Sequence, residues 1–174
     1  MSHRAFISLG SNIDPARHLP AAVRELSLLG EISRVSQAWC SSPVGDPDQA
    51  DFCNAAVLLI TEHSMEELLG AVGLLRGIES RLGRVRDPAN KNAPRTIDLD
   101  LSLFDEFAGE VLGKRIPDPD LFKRAFVAVP LAELDADYSV PGADRALRSI
   151  AAALLETAGP IWQSDLSLDT WRSA

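Results

Sequence analysis

Thr96-Ile97-Asp98-Leu99-Asp100-Leu101-Ser102-Leu103-Phe104 is the stretch on which the fold turns. Ile97, Leu99, Leu101 and Leu103 alternate with Thr96, Asp98, Asp100 and Ser102. A period of two puts one face of a β-strand on a core and the other toward solvent. Working upstream, residues 83–95 carry Gly83, Pro88 and Pro94 and read as a loop. Before it, Ser64-Met65-Glu66-Glu67 has the form of a capping box. It opens a helix bearing Leu68, Leu69, Val72, Leu75, Ile78 and Leu82. Residues 52–61 form a strand around Val57-Leu58-Leu59-Ile60, 42–48 a Pro/Gly loop, and 32–42 a further strand. Leu19, Val23, Leu26 and Leu29 recur at helical spacing, so 15–29 is a helix with Asp14 as N-cap, Pro15 at N1 and Gly30 as its stop. Residues 5–10 are the first strand.

The order is β-α-β-β-α-β. It predicts an α+β, ferredoxin-like sandwich: a mainly antiparallel four-stranded sheet with both helices on one face. Downstream, 125–134 and 144–156 read as helices, and the last residues are weakly patterned, with Trp162 and Trp171 able to dock. We expect one domain over 1–174, with a core of about 4–135 and an extension over 136–174.

The composition agrees. The chain has 174 residues, 46% apolar and 24% charged, ordinary for a globular domain. Its net charge of −8, from 17 basic and 25 acidic residues, argues against a general binder of nucleic acid or anionic membrane. No apolar run nears the roughly 20 residues of a membrane helix, and Met1-Ser2-His3-Arg4 leads into a strand without a signal-like apolar region. Cys40 and Cys53 are too few for a disulfide framework or a four-ligand zinc site, and are expected as reduced, small buried hydrophobes. His18 and His63 are expected at the surface near helix ends. The expectation is a soluble, cytoplasmic protein.

The chemistry gathers at the start of the alternating strand. Asp98 and Asp100 are two apart, so they share a face with Cα atoms roughly 6–7 Å apart. Two carboxylates at that spacing repel unless hydrated or bridged by a cation, and hard oxygens suit Mg²⁺ held together with substrate phosphates. A polar, solvent-facing strand shows the same pattern, but the upstream loop adds a second signal. Arg81, Arg84, Arg86, Lys91 and Arg95 stand against the single acid Asp87 in a chain that is acidic overall. Guanidinium groups beside metal-binding carboxylates are parts of a phosphate-transfer site. A third feature is Asn54 opening an apolar run after Phe52. Its paired donor and acceptor suit a heterocycle edge, and Phe52 is near enough to stack on one.

These residues resemble a known family. Ala93-Pro94-Arg95-Thr96-Ile97-Asp98-Leu99-Asp100 with Gly83-Arg84-Val85-Arg86 is similar to 6-hydroxymethyl-7,8-dihydropterin pyrophosphokinase. So, in family order, are Ile7-Ser8-Leu9-Gly10-Ser11-Asn12, Ser41-Ser42-Pro43-Val44-Gly45, Asp51-Phe52-Cys53-Asn54-Ala55-Ala56-Val57 and Lys123-Arg124-Ala125-Phe126-Val127. The blocks span roughly residues 5–135. The resemblance implies transfer of pyrophosphate from ATP to the pterin hydroxymethyl, giving AMP, in folate biosynthesis. It implies Asp98 and Asp100 as ligands of two Mg²⁺ ions, and Arg84 and Arg95 as triphosphate-engaging catalytic groups. Glu79, Arg86, Asp118 and Arg124 fall at nucleotide-lining positions. Phe52, Asn54 and Phe126, with Ser41, Ser42 and Val44, fall at the pterin pocket. The loop 83–95 is expected to act as a lid, and the enzyme as a monomer acting on small molecules.

The chain also departs from the pattern. Pro117-Asp118-Pro119 stands where relatives carry a histidine that contacts the nucleotide phosphates. Asp118 brings negative charge there unless it binds a cation or Lys114 or Arg115 turns in. Asn92 or Lys91 occupies the region of a lid tryptophan found in some relatives. A non-catalytic relative that binds pterin or nucleotide, with a weakened ATP site, is therefore the second reading. An RNA-binding module needs a basic, aromatic sheet face, and Asp98 and Asp100 oppose it. A Mg²⁺-dependent nuclease lacks a positive track for DNA.

Overall fold

The computed structural model describes residues 1–43, 48–86, 88–89 and 93–169. In chain order, β1 is His3–Ser11, α1 Pro15–Leu26, β2 Glu31–Val35, β3 Trp39–Ser41 and β4 Phe52–Thr61. Then come α2 (Met65–Leu69), α3 (Leu74–Arg81), β5 (Asp98–Phe104) and a hairpin of β6 (Gly109–Val111) and β7 (Lys114–Ile116). A short 3-10 turn at Pro119–Phe122 leads into α4 (Ala125–Leu134). The chain continues through β8 (Ser139–Val140), β9 (Arg145–Ala146), α5 (Leu147–Thr157) and β10 (Ile161–Gln163).

The main sheet is antiparallel, in the order β10-β3-β4-β1-β5, with β2 also paired to β4. Counting β2 and β3 as one broken strand, its core is the expected ferredoxin-like arrangement. Six strands rather than four make up the sheet, for two reasons. The expected strand 32–42 breaks after Val35, where the Ser36 hydroxyl accepts the Ala56 N–H at 2.8 Å. The extension also returns as β10 to pair with β3, Trp162 opposite Cys40. The expected second helix is likewise two. Gly70 and Gly73 interrupt it, each costing about 1 kcal/mol relative to alanine inside a helix, and Gly73 becomes the N-cap of α3. The capping box forms as expected: Ser64 Oγ accepts the Glu67 N–H and Glu67 accepts the Ser64 N–H.

Both faces of the sheet are covered. On one, Ile7, Leu9, Val57, Leu59, Leu99 and Leu101 pack against α1 and α3 through Leu19, Val23, Leu26, Leu75 and Ile78. On the other, Phe6, Ala56, Leu58 and Leu103 pack against α4 and α5 through Ala128, Leu131, Leu134, Leu147 and Ile150. Each fully buried large aliphatic or aromatic side chain contributes about 1.5–3 kcal/mol by leaving water. The second helical layer covers the middle of the face that RNA-binding modules leave open, and the uncovered end carries Asp98 and Asp100.

The alternation in β5 holds only as far as Leu101. Ile7 pairs with Leu101 and Phe6 with Leu103, so Ser102 is a bulge. Its buried hydroxyl bonds Ser8 Oγ at 2.7 Å, and Leu103 turns to the opposite face from Leu101.

Two further expectations are overturned. Cys40 and Cys53 are not free thiols but a disulfide, because antiparallel β3 and β4 set them directly opposite each other with Cα atoms 4.0 Å apart. His18 is buried rather than superficial, its Nδ1 lying 2.6 Å from Ile13 O at the start of α1. Among the described residues no helix is long and apolar enough to cross a membrane.

Candidate active site

β5 is an edge strand of the main sheet, and its first residues carry the site. Asp98 lies opposite Gly10 and Asp100 opposite Ser8 on β1, and Gly10 in turn lies opposite Asn54 on β4. Layer α4–α5 covers this sheet face only around Phe6, Leu58 and Leu103, so the end holding Gly10, Asn54 and Asp98 stays open as a floor. Gly10 is small for a steric reason: a Cβ there would sit 3.0 Å from Asn54 Oδ1.

Two cavities meet at β5. The larger, about 670 Å³, is lined by Leu68, Leu69 and Leu75 together with Glu79, Arg84 and Arg86. The smaller, about 230 Å³, lies over the floor and includes Ser41, Ser42, Phe52, Asn54, Arg124 and Phe126. Arg95, Asp98 and Asp100 line both.

The charges at the seam are ordered by local geometry. Just past the end of α3, Gly83 sits at φ +79°, a left-handed conformation that glycine adopts freely. The Gly83 N–H bonds Ser80 O and the Arg84 N–H bonds Glu79 O, a turn that sends Arg84 back under the strand. Arg84 then donates to Ile97 O at 2.7 Å and reaches Asp98 Oδ1 at 3.1 Å. Arg95 donates to Asp98 Oδ2 at 2.7 Å, and its guanidinium lies 5.5 Å over the Phe52 ring. Asn12 holds the Arg95 backbone, Oδ1 accepting its N–H at 2.8 Å. Burial would raise the Asp98 pKa, but Arg84 and Arg95 outweigh it, and the carboxyl is held below its ordinary value.

Glu79 is 2% exposed. Its Oε1 accepts the Leu99 N–H at 2.9 Å, between the two aspartates, and its Oε2 pairs with Arg86. Burial raises its pKa, with the Asp98 charge adding to the rise against Leu99, Arg86 and Arg84. Of the two neighbouring acids, Asp98 is thus the stronger and Glu79 the weaker. Asp100 accepts from Lys114 Nζ at 2.8 Å. Burial pulls the Lys114 pKa down, but Asp100, Asp118 and Asp98 reverse this and leave it raised.

In the smaller cavity, Asn54 is 8% exposed and its Nδ2 is buried without a hydrogen-bond partner among the described residues. A buried amide donor left unmade costs about 1–3 kcal/mol, so a ligand acceptor facing it is strongly favoured.

The sequence-derived candidates mostly converge. Glu79, Arg84, Arg86, Arg95, Asp98 and Asp100 line the larger cavity, and Ser41, Ser42, Phe52, Asn54 and Phe126 the smaller. Arg124, expected on the nucleotide side, lines the smaller cavity. Asp118 lines neither: its Oδ1 accepts the Asp120 N–H at 2.8 Å and caps the 3-10 turn, and burial raises its pKa. Val44, Asp87, Lys91, Asn92 and Trp171 lie outside the described residues. Sequence reasoning assigned no role to Asn12, although the motif ending there contains it, nor to the aliphatic wall Leu68, Leu69 and Leu75, read only as core. It left Lys114 and Arg115 undistinguished.

The donor set fits magnesium. Among the described residues no three His, Cys, Asp or Glu side chains cluster to hold a metal. An ion at Asp98 and Asp100 must therefore complete its shell from water and phosphate oxygens, the habit of Mg²⁺ rather than of Zn²⁺ or Ca²⁺.

Residues 6–136 match the family described as 7,8-dihydro-6-hydroxymethylpterin-pyrophosphokinase (HPPK). The chain is 35% identical over 159 residues to the 2-amino-4-hydroxy-6-hydroxymethyldihydropteridine pyrophosphokinase of Pseudomonas aeruginosa, covering 90% of this chain and 95% of that protein. To the proteins of the same name from Synechocystis sp. and Bacillus subtilis it is 39% identical, covering 80% and 77% of this chain and 70% and 79% of theirs. Among solved structures, wild-type Plasmodium falciparum HPPK-DHPS with pteroate superposes at a TM-score of 0.68 and 12% identity, over 90% of this chain and 43% of that one. At that identity the likeness concerns the fold, and this chain spans less than half of the longer protein. The match over residues 6–136 and the close relatives of similar length place this chain in the 7,8-dihydro-6-hydroxymethylpterin-pyrophosphokinase family.

Proposed function

We infer that the chain moves the pyrophosphoryl group of ATP onto the hydroxymethyl group of 6-hydroxymethyl-7,8-dihydropterin and releases AMP, a step of folate biosynthesis. The observation that carries the reading is the seam: two cavities of different character share Arg95, Asp98 and Asp100. The larger offers aliphatic walls for a base and guanidinium groups for phosphates. The smaller offers Phe52, Phe126 and the Asn54 amide, unpartnered among the described residues, which suit a flat ring with a hydrogen-bonding edge.

In this reading the two substrates meet over β5. The hydroxymethyl oxygen attacks the β-phosphorus. The bond from that phosphorus to the oxygen bridging the α- and β-phosphates breaks, its electron pair leaves on AMP, and the hydroxyl proton passes to water. Two magnesium ions bound through Asp98 and Asp100 would supply Lewis-acid charge to the phosphates and make the hydroxymethyl group a better nucleophile. Arg84 and Arg95, fixed by Ile97 O and Asn12, are set in advance to offset charge on the transferring group, so little reorganisation accompanies the reaction. No histidine lines either cavity among the described residues, so catalysis rests on positioning and charge compensation rather than on a dedicated base. Residues 1–174 act as one unit, a monomer in this reading, and sedimentation velocity checks the last point.

The test is AMP release followed by ³¹P NMR with ATP, Mg²⁺ and the hydroxymethyl pterin. Release that requires the pterin, and that Asp98→Ala and Asp100→Ala each abolish, is the expected result. Pterin binding without AMP release, or turnover that survives both substitutions, overturns it.

A further inference from the structure

Lys114 and Arg115 are neighbours in β7, and the pleat of the strand separates them. Arg115 lies opposite Glu110 in the hairpin and lines a third cavity, with Phe122 and Pro141, away from β5. Lys114 lines the larger cavity with Arg84, Arg86 and Arg95, and its Nζ donates to Asp100 Oδ1 at 2.8 Å.

The two aspartates are neutralised differently. Asp98 is held by Arg84 and Arg95, whose side chains are only 9% and 15% exposed and which also donate to the backbone oxygens of Ile97 and Ala93. These guanidinium groups are built into the fold. The Lys114 side chain is 57% exposed, on a flexible four-carbon stem, and Asp100 is its hydrogen-bond acceptor. Its ammonium therefore occupies a carboxylate oxygen that a divalent cation also needs, and it can leave without disturbing the core.

We propose that Lys114 is a positioning residue with two successive partners. In the free protein it neutralises Asp100. When a divalent cation takes that carboxylate, the displaced ammonium turns within the same cavity onto an oxygen of the nucleoside triphosphate. The proposal rests on the reading that this cavity takes a nucleotide. It has a signature of opposite signs: Lys114 competes with the metal but assists the nucleotide, so the two ligands bind cooperatively through one side chain. A merely structural lysine would weaken both or neither.

The experiment compares wild type with Lys114→Met, checked for folding by circular dichroism. With Mn²⁺ alone, followed by electron paramagnetic resonance, the variant should bind the ion about threefold to fivefold more tightly, since an exposed competing ion pair is removed. With saturating Mg²⁺ and a non-hydrolysable ATP analogue, calorimetry should show binding about tenfold weaker, the loss of one charge-assisted phosphate contact. The KM for ATP should rise by a similar factor while kcat changes little, and Lys114→Arg should restore much of the analogue affinity. Arg115→Met, on the other side of the strand, should match wild type in both titrations. Unchanged or weaker Mn²⁺ binding by Lys114→Met, or unchanged analogue binding, overturns the proposal. AMP release by wild type is scored separately, so the reaction can stand while the role of Lys114 falls.

Discussion

Glu79 divides its two oxygens between the strand and the loop, and replacing it separates two energies that the structure places side by side. Oε1 accepts the Leu99 N–H at 2.9 Å, and Oε2 takes the Arg86 guanidinium. Glu79→Ala removes both acceptors. The Leu99 N–H points away from β1 at a sheet edge sealed by α3, so it is left unsatisfied at a cost of about 1–3 kcal/mol. The Arg86 share is small, because that side chain is 49% exposed and rehydrates, an effect of about 0–1 kcal/mol. The net expectation is a loss of about 2–3 kcal/mol. Glu79→Gln keeps a carbonyl for Leu99 and gives up only the charge on Arg86, so it should cost about 1 kcal/mol or less. Urea unfolding at neutral pH measures both. With a slope of about 2 kcal/mol per molar, the midpoint should fall by about 1–1.5 M for alanine and by about 0.5 M or less for glutamine. Activity should follow: the alanine variant frees the backbone between Asp98 and Asp100 and loses kcat, whereas glutamine retains most of it. Equal midpoints for the two variants would refute the reasoning, since the Leu99 contact would then contribute nothing.

Other outcomes follow from the same geometry. Asn54→Ala should leave the urea midpoint nearly unchanged, because Nδ2 has no partner to lose among the described residues, yet raise the Kd for the hydroxymethyl pterin about tenfold to a hundredfold by calorimetry. The Asp98 carboxyl is held below its ordinary 3.8 despite burial, by Arg84 and Arg95, so its stabilisation is fully present above that value and lost as pH falls through the lowered one. The gap in Tm between wild type and Asp98→Asn should therefore close as the pH is taken from about 5 to about 2, and a gap of constant width would count against the pairing. Unfolded without reductant, the chain should titrate no free thiol, and reduction should lower Tm in keeping with about 3 kcal/mol from closing a loop between residues 13 apart. Two titratable thiols before reduction would remove the crosslink from the account.

Much of the site is legible along the chain because its parts are local. Asp98 and Asp100 share a face as soon as their segment is extended, Gly83 must turn, and Arg84 and Arg95 sit within reach of the strand that follows them. Asn54 signals itself as an amide opening an apolar run. What is not legible depends on partners distant in sequence. Nothing near Lys114 announces that it, and not Arg115, reaches Asp100; the Asp118 cap, by contrast, carries a local Asp-Pro signal like that of Asp14-Pro15, which its place in the family motif obscured. Nothing near Asn12 announces that it holds Arg95.

By itself, the sequence determined the β-α-β-β-α-β order, the face that Asp98 and Asp100 share, and the basic segment beside them. These follow from backbone periodicity, capping and turn chemistry, which act over a few residues. Only the tertiary structure decided that Ser102 bulges and turns Leu103 to the second helical layer, that Cys40 meets Cys53, and that Lys114 rather than Arg115 reaches Asp100. The reason is register. Which residue stands opposite which is set by how separate strands and hairpins dock, and a shift of one residue sends a side chain to the other face.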